Sequence, residues 1–253
     1  MKFVRYQDGS RPAWGIVEGD TVTPVVGDPF TGWSRSNRSV APWDLHVLPP
    51  ASPTKVICVG LNYKLHAEES GMEIPKEPML FLKPPTAIIG HEEGVIYSHL
   101  TTQLDYECEL AMVIGKTAHR VSVDEALDVV AGYTCANDVS ARDLQRSDGQ
   151  WARAKGMDTF CPLGPVLVNE IDPVGLRIQT KLNGETKQDS NTADMVFKPD
   201  YIVHYVSQAF TLLPGDVIIT GTPSGIGPME VGDRVEVLID NIGTLANPIV
   251  APD

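Results

Sequence analysis

Several absences narrow the roles open to this chain. In 253 residues there is no apolar run approaching the roughly 20 residues that a membrane-spanning helix requires, which excludes a helical membrane protein. Basic residues are outnumbered, 20 Lys and Arg against 33 Asp and Glu, for a formal net charge of −13. A surface of that sign repels phosphate backbones, and no basic stripe with interleaved aromatics interrupts it, so nucleic acid is excluded as a partner. The four cysteines, Cys58, Cys108, Cys135 and Cys161, form no CxxC pair and sit in apolar, strand-like surroundings. They are expected to be buried, reduced thiols rather than disulfides or metal ligands. The opening Met1–Tyr6 has neither the apolar core nor the small-residue cleavage site of a secretory leader, so a cytoplasmic location is expected.

What is present is rich in strands. Lys2–Tyr6, Pro12–Val17 and Thr21–Val25 read as short strands with Glu18-Gly19-Asp20 as a turn, while Asp28–Asn37 is loop by composition. The stiff Leu48–Pro53 stretch marks a boundary between a small N-terminal β domain, residues 1–50, and a larger unit, residues 51–253. Beyond it, Lys55–Gly60 and Met79–Lys83 read as strands, with a short helix between them near Glu69. Val123–Val130 has helical spacing, Asn183-Gly184 is the tip of a hairpin, and Pro199–Leu212 carries the clearest 3.6-residue period. Strands outnumber helices and do not alternate strictly with them, which gives an α+β fold with a strand-rich core.

Two stretches concentrate chemistry. Asp105–Gly115 reads as one strand, on which alternation turns Glu107 and Glu109 to the same face. Adjacent carboxylates need a cation, a shared proton or open solvent, and Asp138, after the strand-like Gly132–Asn137, offers a third oxygen ligand. Three carboxylates without histidine or thiolate suit Mg²⁺ or Mn²⁺ rather than zinc; the alternative is the polar outer face of a sheet. His66 and Glu69 stand three apart, so on a helix the carboxylate orients the imidazole as a general base, or else both belong to a surface turn. Lys155 falls in an aperiodic stretch, either lining a site or solvated. Thr220–Gly227 is glycine-rich, yet no Gly-Lys-Ser/Thr follows and no helix opens after it, so it reads as a turn offering N–H groups and the Thr222 hydroxyl to a carboxylate. His91, His99, His119 and His204 show no partner pattern and are read as structural or exposed.

Taken in order, these segments resemble the fumarylacetoacetate hydrolase family. The resemblance rests on Val59–Tyr63 with His66 and Glu69, Phe81–Pro84, Glu107–Leu110, Asn137–Asp143, Lys155-Gly156, Cys161-Pro162 and Thr220–Pro223. It implies a mixed β-roll core and a homodimer. It also implies Glu107, Glu109 and Asp138 as ligands of Mg²⁺ or Mn²⁺, and His66 with Glu69 as a water-activating dyad. Lys155 is implied as the stabiliser of enolate charge, Gln145 as a residue that handles the substrate carboxylate, and Arg142 and Thr222 as substrate contacts. Lys64 and Lys83 are expected to be replaceable supports. The substrates implied are 2-oxo acids with a second carbonyl or carboxylate further along, decarboxylated or hydrolysed at a C–C bond. The Ser147–Gly156 run and the Lys187–Asn191 loop resemble bacterial members described as oxaloacetate decarboxylases or dienedioate isomerases, and isomerisation of a dienedioate is the second reading. A silent metal-binding protein is the rival of a different class. Acidity poses a difficulty for anionic substrates that only a local cation and a few placed bases can reverse.

Overall fold

The computed structural model describes residues 1–38 and 45–252. The chain opens as an antiparallel meander of β1 (Lys2–Asp8), β2 (Arg11–Glu18), β3 (Thr21–Asp28) and β4 (Gly32–Arg35). The fourth strand falls inside the segment expected to be loop. The Asp28 carboxylate accepts from the N–H groups of Phe30 and Thr31 and from the Thr31 hydroxyl, each at 2.8 Å. That side-chain-stabilised turn folds Gly32–Arg35 back onto β3, a pairing that composition does not reveal.

β5 (Val47–Leu48) pairs with β1, and the proline-rich segment leads into β6 (Val56–Gly60), α1 (Lys64–Glu69) and β7 (Met79–Lys83). Then come β8 (Ile88–Ile89), β9 (Val95–Ile96), β10 (Leu104–Tyr106) and β11 (Cys108–Ile114). Of the helix expected over Val123–Val130 only a 3₁₀ turn, Ala126–Val129, forms, and the backbone becomes strand at Val130. β12 (Val130–Asn137), β13 (Ser140–Ala141), α2 (Arg142–Ser147), α3 (Ala152–Gly156) and β14 (Cys161–Val168) follow.

The hairpin of β15 (Arg177–Leu182) and β16 (Glu185–Asn191) turns at Asn183 and Gly184, whose φ values of 52° and 82° suit a tight two-residue turn. The Lys187–Asn191 segment, expected to be a loop, is thus strand, held by antiparallel pairing to β15. α4 (Pro199–Ala209) ends three residues before the expected Leu212, because Phe210 is already extended at φ −130°. β17 (Val217–Ile219), β18 (Gly227–Met229), β19 (Arg234–Ile239) and β20 (Gly243–Val250) complete the chain.

Among the described residues the strands form three sheets. A twelve-stranded mixed sheet runs β4-β3-β2-β1-β14-β12-β11-β17-β6-β7, with β5 and β8 attached beside the path. A five-stranded sheet has the order β16-β15-β19-β20-β9, and a small sheet the order β13-β10-β18. The N-terminal meander is not a separate layer, since Lys2 and Phe3 of β1 pair with Val168 and Leu167 of β14.

β11 is buried on both faces, which explains its near-continuous apolar run. Cys108, Leu110, Met112 and Ile114 enter a core shared with β15, β19 and α4, while Ala111 and Val113 enter a second core with β6, β14 and β17. All four cysteines are free and buried. Among the described residues no helix is long and apolar enough to cross a membrane.

Candidate active site

Glu107 lies where the chain leaves one sheet for another. The single strand expected over Asp105–Gly115 is broken there: β10 belongs to the small sheet and β11 to the large one. Instead of a ladder partner, the Glu107 N–H finds the Asn137 Oδ1 at 2.9 Å, and the Glu107 carbonyl accepts from the Asp138 N–H at 2.9 Å. The break fastens Glu107 to the end of β12, where Asp138 sits. One oxygen each from Glu107, Glu109 and Asp138 consequently falls within 4.8 Å of the others. The three residues are 4%, 1% and 1% exposed, so the reading as a polar outer face does not hold.

Cations surround this triad. Lys155, carried by α3, is buried and therefore not a solvated charge; its Nζ lies 2.9 Å from Glu107 Oε2 and 2.7 Å from Asp138 Oδ2. It also stands 5.3 Å above the Phe81 ring, a cation–π contact. Each nitrogen of the Arg142 guanidinium has a partner: Nε donates to Asp105 Oδ2 at 2.8 Å, Nη2 to Glu107 Oε1 at 2.5 Å, and Nη1 to Gln145 Oε1. In this arrangement Arg142 positions Glu107 and Gln145.

Lys83, expected to be a replaceable support, is among the largest fully buried side chains. Its Nζ donates to the carbonyls of Val139 (3.1 Å), Lys155 (2.5 Å) and Phe160 (2.6 Å) and stands 2.6 Å from Asp138 Oδ1. An ammonium has three N–H bonds, and carbonyls take all three. Asp138 Oδ1 therefore faces a positive charge but receives no hydrogen bond. Lys64, by contrast, is exposed and makes only a 3.8 Å contact with Glu68.

The electrostatics separate the two glutamates. Burial alone would raise the Glu107 carboxyl, but the Lys155 ammonium and the Arg142 guanidinium outweigh it and hold that carboxyl well below the usual range. Glu109 is pushed well above that range by burial and by the Asp138 and Glu107 carboxylates, against which Lys155 and the Gly221 N–H, 2.6 Å from Oε2, are insufficient. Burial tends to discharge Lys155, yet Asp138 and Glu107 keep its ammonium stable.

Among the described residues here, four buried carboxylates, Asp105 included, face three buried cations, which leaves Glu109 without a counter-charge and favours its holding a proton. The all-oxygen donor set, the Asp138 Oδ1 without a hydrogen bond and the excess of one carboxylate over the buried cations fit a hard divalent cation held by Glu107, Glu109 and Asp138.

Above this floor opens a cavity of about 610 Å³, lined among others by His66, Glu69, Gln145, Arg146, Lys155 and Thr222. His66 is buried on α1, so the surface-turn alternative does not hold for it. Its Nδ1 lies 3.2 Å from Glu69 Oε2, and Glu69 Oε1 accepts from the Gly225 N–H at 3.0 Å. Beside an ionised Glu69 the imidazole donates from Nδ1, which leaves the Nε2 lone pair available. The glycine-rich turn is shaped by Gly221 at φ +95°, where a Cβ would lie 2.6 Å from the Asn62 Cβ. The Thr222 hydroxyl accepts from Gln188 Nε2 at 2.9 Å.

Three further residues, Gln188, Lys83 and Asp105, take part in this assembly. Gln188 is fully buried on β16; its Oε1 accepts from the Cys108 N–H at 3.0 Å, and its Nε2 also donates to Pro223 O at 2.8 Å. It thereby ties the residue between the two glutamates to the Thr222 turn, and nothing in the local sequence marks it. Lys83 was legible as a lysine closing an apolar strand, and Asp105 as an extension of the Asp-x-Glu-x-Glu alternation. Elsewhere, His204 Nδ1 lies 2.8 Å from Val121 O, His91 Nδ1 accepts from the Ala246 N–H, and His99 and His119 are exposed.

Residues 55–250 match the family model of the fumarylacetoacetate hydrolase C-terminal domain. The chain belongs to the fumarylacetoacetate hydrolase family. Residues 1–50 match a second model, the Rv2993c-like N-terminal domain. A Bacillus subtilis protein named oxaloacetate tautomerase YisK is 44% identical over 81% of this chain and 72% of its own length. The solved structure of a 2-hydroxyhepta-2,4-diene-1,7-dioate isomerase from Mycobacterium marinum is 42% identical, with a TM-score of 0.92 over 99% of this chain and 98% of that one. A fumarylpyruvate hydrolase from Pseudomonas aeruginosa, solved with Mn²⁺ and pyruvate, is 31% identical, with a TM-score of 0.75 over 86% of this chain and 93% of that one. Members of this family with tautomerase, isomerase and hydrolase names support an enzyme here and argue against a silent metal-binding protein.

Proposed function

We propose that this protein is a Mg²⁺- or Mn²⁺-dependent enzyme that moves a proton at C3 of 2-oxo acids, interconverting keto and enol forms of oxaloacetate-like substrates. The observation that carries this reading is the pairing of one available base, His66, with one obligate cation, Lys155, over a buried carboxylate triad. Bound by Glu107, Glu109 and Asp138, the metal supplies Lewis-acid polarisation of the 2-oxo group. His66 Nε2 accepts the C3 proton, Glu69 stabilises the resulting imidazolium through Nδ1, and the Lys155 ammonium stabilises negative charge developing on the C2 oxygen. Return of the proton from Nε2 to that oxygen completes the tautomerisation. A single base suffices and no water has to attack. Lys155 acts by charge, not as a base, because its two carboxylate neighbours keep it protonated.

A second reading, C–C cleavage by decarboxylation or acylpyruvate hydrolysis, draws support from the hydrolase relative solved with pyruvate. In the hydrolysis the same dyad would deprotonate a water, whereas decarboxylation needs none. The apolar hollow formed by Leu80, Phe81, Leu82, Trp151 and Phe210 beside edge strand β7, where Leu82 is 47% exposed, supports the homodimer as part of this proposal. The test follows oxaloacetate enol absorbance and pyruvate release together, with Mg²⁺, Mn²⁺ or chelator, alongside acetylpyruvate. Metal-dependent enol loss without matching pyruvate is expected. Pyruvate formed as fast as enol disappears would replace tautomerisation by cleavage.

A further inference from the structure

Five carboxylates line the cavity against three permanent cations, Arg142, Lys155 and Arg146. The first two are neutralised by the carboxylates they touch. Arg146 is different. Among the described residues it makes no ion pair, and its Nη1 meets only the amide oxygen of Gln103, at 3.3 Å. The acids next to it in sequence are committed elsewhere. Asp143, three residues back on α2 and ideally spaced for a helical pair, accepts from Thr101 and Thr102. Asp148 is held by Arg153 through Nε at 2.8 Å and Nη2 at 2.7 Å. A guanidinium on the wall of a strongly acidic cavity, spared by both neighbouring carboxylates, keeps its fork open for an anion.

Its position identifies which anion. From Arg146 the contacts run through Gln103, then Asp105, which accepts from Gln103 Nε2 at 3.1 Å, then Arg142, and only then Glu107. Arg142 is buried against Glu107 while Arg146, one turn later on α2, is exposed, which places Arg146 toward the open side of the cavity. We infer that Arg146 receives the distal carboxylate of the substrate, making it the determinant that selects 2-oxo diacids over 2-oxo acids with an uncharged tail. This rests on the proposed enolate chemistry only for where the 2-oxo head sits.

The test compares 2-oxoadipate with its ω-methyl ester, alike in length and different in terminal charge, by exchange of C3 protons in D₂O. In Arg146→Gln the KM for the diacid should rise about tenfold or more, the scale of a lost charge-assisted pair, with kcat and the ester's KM within about twofold. Arg146→Lys should retain part of the preference. Equal changes for both compounds, or no change for either, would overturn the assignment. If the wild-type protein exchanges neither compound, the enolate reading fails by itself. Calorimetric titration of the Mn²⁺-loaded protein with the same two compounds then decides the inference: loss of diacid preference in Arg146→Gln upholds it, and an unaltered preference overturns it.

Discussion

Glu107, Glu109, Asp138, Lys83 and Lys155, at the cavity floor, are buried and held by sheet ends, backbone carbonyls and one another. His66 and Glu69, at the rim, ride on a six-residue helix without a side-chain N-cap, tied across the cavity by the Glu69–Gly225 hydrogen bond. The floor's charges come in a fixed arrangement whose members depend on each other. The rim's helix is too short to be stable alone and takes its place from packing and that single tie. On the proposed mechanism, charge stabilisation is assigned to the buried, mutually tied floor and proton transfer to the lightly tied rim. Substitutions at the two levels should fail differently: floor changes should affect stability and metal affinity, rim changes mainly turnover.

The largest effect on stability belongs to the floor. Lys83→Met leaves Asp138 buried beside an apolar stem and should cost about 3–5 kcal/mol, read by urea denaturation of the metal-free protein. A loss below about 1 kcal/mol would return Lys83 to the role of a replaceable support.

At the rim, His66→Ala should lower kcat for enol–keto interconversion by about 10²-fold, the scale of a lost general base, with little change in the denaturation midpoint. If C–C cleavage also operates, acylpyruvate hydrolysis should fall likewise and oxaloacetate decarboxylation much less, because decarboxylation needs no nucleophilic water. Gln145→Ala should show the opposite pattern if its amide holds the departing carboxylate. Parallel losses in both variants would dissolve this division of roles.

Lys155 belongs structurally to the floor and chemically to the reaction. Lys155→Met should reduce kcat at least about tenfold, roughly 1.4 kcal/mol of transition-state stabilisation. Wild-type turnover in the folded variant would reduce Lys155 to a counter-charge.

A smaller effect distinguishes the floor by pH. The Glu109 carboxyl, raised by burial and neighbouring carboxylates, holds its proton above the ordinary value of 4.5, where the unfolded chain has lost it. The folded state then binds more protons, so this group makes the metal-free protein progressively less stable as pH rises from about 4.5. Midpoints measured across that range should show the contribution in the wild type and its disappearance in Glu109→Gln. Identical pH slopes in the two proteins would contradict it.

Most of the candidate site is legible in the sequence because it resides in short local runs. Glu107 and Glu109, His66 and Glu69, and the Thr220–Gly227 turn each carry their residues within a few positions. The reason for the convergence was less visible. Glu107 approaches Asp138 through a break between sheets, not through strand alternation, and that break depends on the distant Asn137 side chain. Gln188 and Lys83 act across 80 and 77 residues, on Cys108 and Phe160 respectively, separations that no local pattern encodes. The same holds for β4 and for Val123–Val130, where tertiary pairing overrode composition and period.

The central claim is that the buried triad holds a divalent cation, and calorimetric titration of wild type and Glu109→Gln with Mn²⁺ tests it most directly. Removing one of three carboxylate ligands should weaken binding by more than about 100-fold, beyond the usual range for outer-shell losses. The metal-free variant should be as stable as the wild type or more so, since the substitution relieves carboxylate repulsion. Unchanged Mn²⁺ affinity in Glu109→Gln would contradict the assignment of the triad.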